Sequence, residues 1–172
     1  MHDFGAKVTE LSAQAERLDR DAIQTDDFAE LFSKWERITR GTSYKEKLRA
    51  AGNLLANALL RTGDPAKCQY EELHYLMHCV DALSIGAIMV LNAVQANHYP
   101  PNYHNMDSFP VLRKKFPALD QDVVLGLVRE LSGLNLVQVS EGVISTSDYK
   151  HISVKLTAIG ARFAERFIDG RF

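Results

Sequence analysis

The order of apolar patterns in residues 83–172 constrains the fold of this chain more than any other feature. The segment from Ile85 to Ala96 is almost wholly apolar. Apolar residues at helical spacing predict a later helix and should form its buried face; they are Val123, Val124, Leu127, Val128 and Leu131. The sequence Leu131-Ser-Gly-Leu-Asn-Leu-Val-Gln-Val139 then ends that helix and begins an alternating stretch. Residues 152–156 alternate in the same way, and residues 157–168 return to helical spacing. This order predicts a small antiparallel strand pair enclosed by helices.

Turn and capping residues predict the helices of the amino-terminal half. Asp27 and Glu30 have the spacing of a capping box before a helix that should run to about Arg40, with Gly41 as a left-handed stop. Ser43 and Glu46 repeat the capping spacing before a further helix that contains several small residues. The chain should break at residues 63–65, and the following helix should cover residues 70–82.

An apolar seam precedes these helices. Its residues recur at spacings of four and three, and they are Phe4, Val8, Leu11, Ala15 and Leu18. Such a seam requires a partner helix. The partner belongs either to the same chain or to a second copy, so a homodimer through this seam is one interpretation.

Charge and cysteine usage limit the partners and the compartment. The net charge of −2 and the isoelectric point near 6.3 provide no chain-wide positive field for nucleic acid or for an anionic membrane. Any contact with DNA must therefore come from a local patch. Cys68 and Cys79 are too few for a disulfide framework, and no leader sequence is evident. We expect a soluble cytoplasmic protein with no membrane partner, because no apolar run approaches the roughly 20 residues of a membrane span.

A loop rich in proline, asparagine and aromatic residues follows the apolar helix. It covers residues 97–105 and includes Tyr99, Tyr103 and His104. Paired prolines and asparagines favour turns, and the loop is long for a connection between helices. It is a candidate protein-binding loop, and a solvated linker is the alternative.

From Leu83 to Phe167 the chain resembles winged-helix regulators of the multiple-antibiotic-resistance type. The similar pieces are Leu83-Ser84 before an apolar helix, Leu131-Ser-Gly-Leu-Asn-Leu-Val137, and Leu156-Thr-Ala-Ile-Gly160. The resemblance covers about half the chain and specifies fold better than function. It implies that the helix from Asp120 to Ser132 takes the position that reads the DNA major groove. It also implies that residues 141–151 form the wing, which touches the neighbouring DNA backbone.

A second resemblance involves residues 48–94. Leu48-Arg-Ala-Ala-Gly-Asn-Leu-Leu-Ala-Asn-Ala-Leu59 and the helical pattern of residues 70–94 are similar to a bacterial family of unknown function associated with abortive phage infection. This likeness implies a bacterial or phage setting and no mechanism.

The charges of the predicted recognition helix depart from those of a DNA reader. The helix begins Asp120-Gln-Asp122, and two acids would repel phosphates. Base readout normally uses Arg, Lys, Asn or Gln near the leading end, where only Gln121 qualifies. If the protein binds DNA, the contacts should come from Arg113, Lys114, Lys115, Gln121, Arg129 and Lys150.

His74 and His78 are the strongest metal-ligating candidates in the sequence. They lie four residues apart, so both project from one side of a helix. Zinc requires three or four ligands, however, and the glutamate of a metalloprotease motif is absent between them. The simpler interpretation is that both histidines lie on an outer face. No phosphate-binding glycine loop or nucleophile motif is present, so we expect neither a cofactor nor an enzyme.

Together these patterns predict a mainly α protein with an α+β carboxy-terminal part. A helical region, residues 1–82, should pack on a winged-helix domain with a small antiparallel β-wing, residues 83–172. The leading functional hypothesis is a non-catalytic regulatory or adaptor protein that docks on another protein. A dimeric DNA-binding transcriptional regulator is the alternative, and a metal-dependent enzyme using His74 and His78 is a second alternative.

Overall fold

The computed structural model describes residues 17–19, 21–96, 107–141 and 152–168. The chain divides into two compact units. The first unit comprises Met1–Ala82 with Glu165–Phe172, and the second unit comprises Leu83–Ala164. The sequence-based domain boundary kept the carboxy-terminal residues in the second domain, whereas the contacts assign Glu165–Phe172 to the first unit. The described residues are mostly helical, with a small antiparallel sheet towards the carboxyl end, as the sequence predicts at this level.

Three α-helices form the described part of the first unit. They are α1 (Asp26–Gly41), α2 (Lys45–Ala58) and α3 (Tyr70–Ala82), and a short 3-10 helix, Asp21–Gln24, precedes them. Each α-helix packs against the other two. Every residue from Ala50 to Asn57 is buried, so α2 lies at the centre of this unit.

The buried polar side chains of α2 are hydrogen-bonded. Asn53 Nδ2 donates to the Phe167 carbonyl at 2.8 Å. Asn57 Nδ2 donates to the Ala66 carbonyl at 2.8 Å, and its Oδ1 accepts from the Cys68 backbone N–H at 2.9 Å. Because a buried amide without partners is costly, these bonds fix which segments lie against α2.

The helix boundaries of α1 and α2 differ from the predicted capping pattern. Thr25 is the N-cap of α1, since its backbone is extended and its Oγ1 accepts from the Phe28 N–H, so the predicted Asp27–Glu30 capping box is wrong. Gly41 is the last residue of the helix and has no positive φ, so it is not a left-handed stop. Tyr44 precedes α2 without a side-chain cap, so the predicted capping box of Ser43 and Glu46 is also wrong.

The predicted break at residues 63–65 is present, and a partly buried ion pair holds it. Gly63 adopts a positive φ of 94°, a conformation that favours glycine. The next residue, Asp64, accepts from Arg17 Nε at 2.7 Å and from Arg17 Nη2 at 2.9 Å. Leu18 forms a β-bridge with Leu60 and packs against it. Leu18 is the one residue of the predicted apolar seam within the described part of the chain; Phe4, Val8, Leu11 and Ala15 lie outside it.

The second unit combines helices with a three-stranded antiparallel sheet. Its elements are α4 (Ile85–Ala96), β1 (Asp107–Ser108), α5 (Phe109–Lys114), α6 (Gln121–Gly133), β2 (Val137–Glu141), β3 (Ile152–Leu156) and α7 (Ala158–Arg162). The strand order is β1-β3-β2, with Val139 opposite Val154. A π-helical turn, Phe163–Ile168, continues from α7. The apolar helix α4 packs against α5, α6 and β3, so it supplies the core of this unit.

The beginning of α7 lies directly against the backbone that leads into β2. Thr157 caps α7 by accepting from the Gly160 N–H, and its own N–H donates to the Leu136 carbonyl. A Cβ on Gly160 would lie 1.8 Å from the Leu136 carbonyl oxygen, so this position has room for glycine alone.

No single helix in the described ranges is long and apolar enough to cross a membrane. Residues Tyr70–Ala82 and Ile85–Ala96 would meet the length and composition of a span only if they were taken together as a broken one.

Candidate functional site

The candidate site of the second unit is built on α6, which the sequence predicts from Asp120 and its apolar spacing. Asp120 is the N-cap and accepts from the Asp122 N–H at 3.1 Å. The buried face consists of Val124, Leu125, Val128 and Leu131. The prediction that Val123 also lies on the buried face is wrong, because its side chain is 49% exposed.

A Schellman turn ends α6 and directs the chain into β2. Asn135 has a positive φ of 49°, and its N–H donates to the Ser132 carbonyl. The Leu136 N–H donates to the Leu131 carbonyl, and both of these leucines are fully buried. The two hydrogen bonds define this motif. The turn fixes the angle between the helix and the sheet, and so it fixes the side of α6 that faces solvent.

The solvent-facing side of α6 carries little positive charge. It consists of Asp122, Val123, Gly126, Arg129 and Gly133. Apart from its chain neighbours and the backbone of α6 itself, no atom lies within 4 Å of the position that a Cβ on Gly126 would occupy. The middle of this side is therefore flat and open, with an acid near the leading end and an arginine one to two turns later.

The crossing of α4 and α6 produces an exposed apolar surface. The Ser84 N–H and hydroxyl both donate to the Glu130 carboxylate, the hydroxyl at 2.8 Å. A Cβ on Gly86 would lie 2.9 Å from a Leu127 methyl carbon. These two contacts show that α4 and α6 run antiparallel. Met89 is one turn further along α4, and Val123 is one turn back on α6, so we infer that these two exposed side chains lie on the same side of the crossing.

We call this surface the apolar patch and define it by Ile85, Met89, Val123 and Leu127. Ile85, Met89 and Val123 are 46%, 49% and 49% exposed, and Leu127 is half-buried. Large apolar side chains exposed next to one another are typical of interaction surfaces, whereas single ones are ordinary. The sequence did not predict the patch, because residues on two helices become neighbours only through the helix crossing.

The predicted DNA-contacting residues of α5 are partly engaged within the second unit. Arg113 Nη1 donates to the Phe116 carbonyl at 3.0 Å, and Lys115 Nζ donates to the Ala93 carbonyl at 3.1 Å near the end of α4. The Ala93 carbonyl lies in the last turn of α4, where positive charge is favourable. Lys114 and Arg129 are exposed, and Gln121 is half-buried. Lys150 and the loop residues Tyr99, Tyr103 and His104 lie outside the described residues.

The two histidines of the metal hypothesis lie on α3, in different surroundings. His78 is exposed, whereas His74 Nε2 lies 2.7 Å from Glu30 Oε1 and also contacts Lys34 Nζ. Across the described ranges, no group of three His, Cys, Asp or Glu side chains is placed to hold a metal ion. The sequence could not reveal the Glu30–His74 contact, because it joins α1 to α3.

Glu30 is the centre of a polar cluster in the first unit. Its carboxylate accepts from the Tyr70 hydroxyl at 2.6 Å, in addition to its contact with His74. The hydrogen bond from Tyr70 is the main cause that lowers the pKa of Glu30 to about 2, and the hydrogen bond to His74 is the second. Burial is the main cause that raises the pKa of Tyr70 to about 12, and the hydrogen bond to Glu30 is the second. At neutral pH the cluster therefore holds a carboxylate and a neutral phenol.

Cys68 and Cys79 are both buried, and they form no disulfide with each other. Burial raises the pKa of the Cys79 thiol to about 11, so the nucleophilic thiolate is scarce at neutral pH. Cys79 is thus unsuited to nucleophilic chemistry in this state.

No family model, curated protein or solved structure matches the chain.

Proposed function

We propose that the second unit is a winged-helix domain that binds another protein through the apolar patch, and that the chain acts as a non-catalytic regulatory or adaptor protein in a bacterial or phage cytoplasm. The winged-helix interpretation is supported by the order helix, strand, helix, helix, strand, strand, and by the strand order β1-β3-β2. In that arrangement α6 takes the position of the recognition helix.

The apolar patch is the observation that carries the binding proposal. A recognition helix that reads DNA places arginine, lysine or amide side chains at its leading end, where phosphates and base edges lie. The leading end of α6 instead presents Asp122 and Val123 beside the half-buried Gln121, and Met89 of α4 is exposed as well. A carboxylate at this end of the helix repels phosphates. The exposed apolar side chains lose their unfavourable contact with water when another apolar surface covers them.

DNA binding by a dimer is the second candidate function. The exposed cations Lys114 and Arg129 favour it, and Arg129 lies on the solvent-facing side of α6. Phosphate contacts from so few cations would give weak binding that falls steeply with salt.

The first experiment compares the two candidates with one set of variants. Binding of the full chain to mixed-sequence duplex DNA is measured by fluorescence anisotropy at low and moderate salt. Wild type, Lys114→Ala and Arg129→Ala are compared with the patch variants Met89→Asp and Val123→Asp. Salt-sensitive binding that is lost in the cation variants and retained in the patch variants would reject the protein-docking proposal.

Quantitative affinity capture tests the protein partner directly. Proteins retained by the wild-type chain are compared with those retained by Val123→Asp and by Val111→Asp. Val111 is a matched control, because it is 46% exposed on α5 and lies outside the patch. A partner specific to the patch is lost with Val123→Asp and retained with Val111→Asp. Equal loss from both variants would indicate unspecific apolar adsorption.

A further inference from the structure

A cavity in the first unit has no role in the proposed function of the second. It has a volume of about 270 Å³ and opens between the beginning of α1 and the segment that leads into α3. Phe28, Leu31 and Leu73 line it and are at most 9% exposed, so part of its wall is apolar. This volume is close to the lower end of the range for small-molecule pockets, roughly 300 Å³. It suits a ligand with one ring or a short aliphatic body.

The charged part of the cavity wall is mainly negative. Asp19, Asp21 and Asp27 line it together with a single lysine, Lys67. The Lys67 ammonium donates to the Leu60 carbonyl, so part of its charge is already engaged. Within the described ranges, the carboxylates of Asp21 and Asp27 make neither a hydrogen bond nor an ion pair, and Asp19 accepts the backbone N–H of Asp21. Three carboxylates therefore outweigh one partly engaged ammonium.

The amino terminus of α1 opposes the negative charge of the carboxylates, because the helix dipole places partial positive charge there. That charge is equivalent to roughly half an elementary charge, and it falls off within one turn. Thr25 already accepts the Phe28 N–H, and Asp26 and Asp27 lie in the first turn. The partial positive charge at the helix end is thus smaller than the negative charge of the three carboxylates. An anionic ligand would therefore meet net repulsion.

We propose that this cavity binds a small organic cation, a protonated amine attached to an apolar body about the size of one aromatic ring. The apolar body contacts Phe28, Leu31 and Leu73. The ammonium lies among the carboxylates of Asp19, Asp21 and Asp27. A charge-assisted hydrogen bond from the ammonium to a carboxylate provides the specificity, and apolar burial adds affinity.

Three probes of matched shape test the charge preference. The full chain is titrated with 2-phenylethylamine, neutral 2-phenylethanol and anionic 3-phenylpropanoate, and binding is followed by ligand-observed NMR at low salt. Butylamine and tryptamine bracket the size of the apolar body. The best amine should bind about tenfold more tightly than the alcohol, and added salt should reduce this difference. Equal binding of amine and alcohol, tighter binding of the carboxylate, or no binding by any amine would overturn the proposal.

Two variants locate the binding within the cavity. Asp27→Asn should weaken amine binding about three- to tenfold. Asp26→Asn is the matched control, because Asp26 precedes Asp27 in the same helical turn and does not line the cavity; its effect should stay below about twofold. Thr62→Trp should abolish binding, because Thr62 is an exposed residue of the cavity wall and the indole would fill the space.

Thermal unfolding of each variant establishes that it is folded before its binding is compared. Equal weakening by Asp26→Asn and Asp27→Asn would mean a general electrostatic effect, and unchanged binding in Thr62→Trp would place the amine elsewhere. Either result contradicts the cavity site. Because all of these residues belong to the first unit, failure of this test leaves the proposal for the second unit unaffected.

Discussion

The two units are stabilised in different ways. In the first unit, polar side chains join segments that are distant in the sequence, as Asn57 joins Ala66 and Cys68, and as Glu30 joins Tyr70 and His74. In the second unit, a close backbone approach at Gly160 and the hydrogen bonds of Ser84 to Glu130 join distant segments. Among the described residues, four large apolar side chains are exposed in the second unit, against two in the first. In the interior of the first unit, the buried amides Asn53 and Asn57 have specific polar partners. The second unit is better suited to present an apolar surface to a partner.

The largest loss of stability is expected when the close backbone approach in the second unit is disturbed. Gly160→Ala should destabilise the protein by about 3 kcal/mol or more, because its Cβ would overlap the Leu136 carbonyl oxygen unless the backbone moves. Denaturant-induced unfolding measures the change. Gly126→Ala is the matched control, since the space around it is open and alanine favours the helix; it should stabilise the protein by about 0.5–1 kcal/mol. Similar effects of the two substitutions would contradict the close approach at Gly160.

The next largest loss of stability is expected when a buried amide of the first unit is removed. Asn57→Ala should cost about 2–3 kcal/mol, because the Ala66 carbonyl and the Cys68 N–H would both lose their partner in a buried place. Gln69→Ala, an exposed amide in the same segment, should change stability by less than about 0.5 kcal/mol. Equilibrium unfolding in urea compares the two variants. A tolerated Asn57→Ala would show that the first unit does not depend on this amide.

A smaller effect concerns the turn between α6 and β2. Asn135→Ala should destabilise the protein by about 1 kcal/mol, because alanine is unfavourable at the positive φ of 49°. Asn135→Gly should be neutral or slightly stabilising, since glycine adopts this conformation readily. The midpoints of thermal unfolding separate the two variants. If both substitutions cost the same, the asparagine side chain rather than the backbone conformation would be responsible.

The smallest effect is the pH dependence of the Glu30 cluster. The pKa of Glu30 is about 2 in the folded protein, whereas the pKa of an ordinary glutamate is about 4.5. The ionised carboxylate therefore stabilises the folded protein fully above pH 4.5. This contribution decreases as the pH falls from 4.5 towards 2. Glu30→Gln should therefore be less stable than wild type at pH 7, and the difference should shrink at pH 3. Unfolding measured at both pH values checks this, and a difference that grows on acidification would refute the assignment.

The sequence predicted features that depend on neighbouring residues, and it failed where a feature depends on packing. Asp120 and the apolar spacing after it located α6 correctly, because capping and periodicity act within one helix. The capping box at Asp27 was wrong, since Thr25 has the same chemistry two residues earlier and satisfies the Phe28 N–H. Val123 was predicted to be buried from its spacing, but the orientation of α6 against α4 leaves it exposed.

The candidate site was the least predictable part. The cations Arg113 and Lys115 could be read from the sequence, but their carbonyl partners could not. The apolar patch and the cavity each combine residues from separate elements, so neither leaves a local signal. The position of α6 followed from its cap and its apolar spacing, whereas the winged-helix resemblance and the nature of the partner both stay predictions.

The contact between Gly160 and Leu136 also offers a way to recognise distant relatives of this chain. A protein in which a strand leads into a short helix packed on the same backbone carbonyl would need glycine at the third helical position, after a threonine or serine cap. It would also need asparagine or glycine before the buried residue that supplies the carbonyl. These requirements concern backbone space rather than side-chain chemistry. They would therefore persist in relatives whose surfaces, charges and partners have changed beyond recognition.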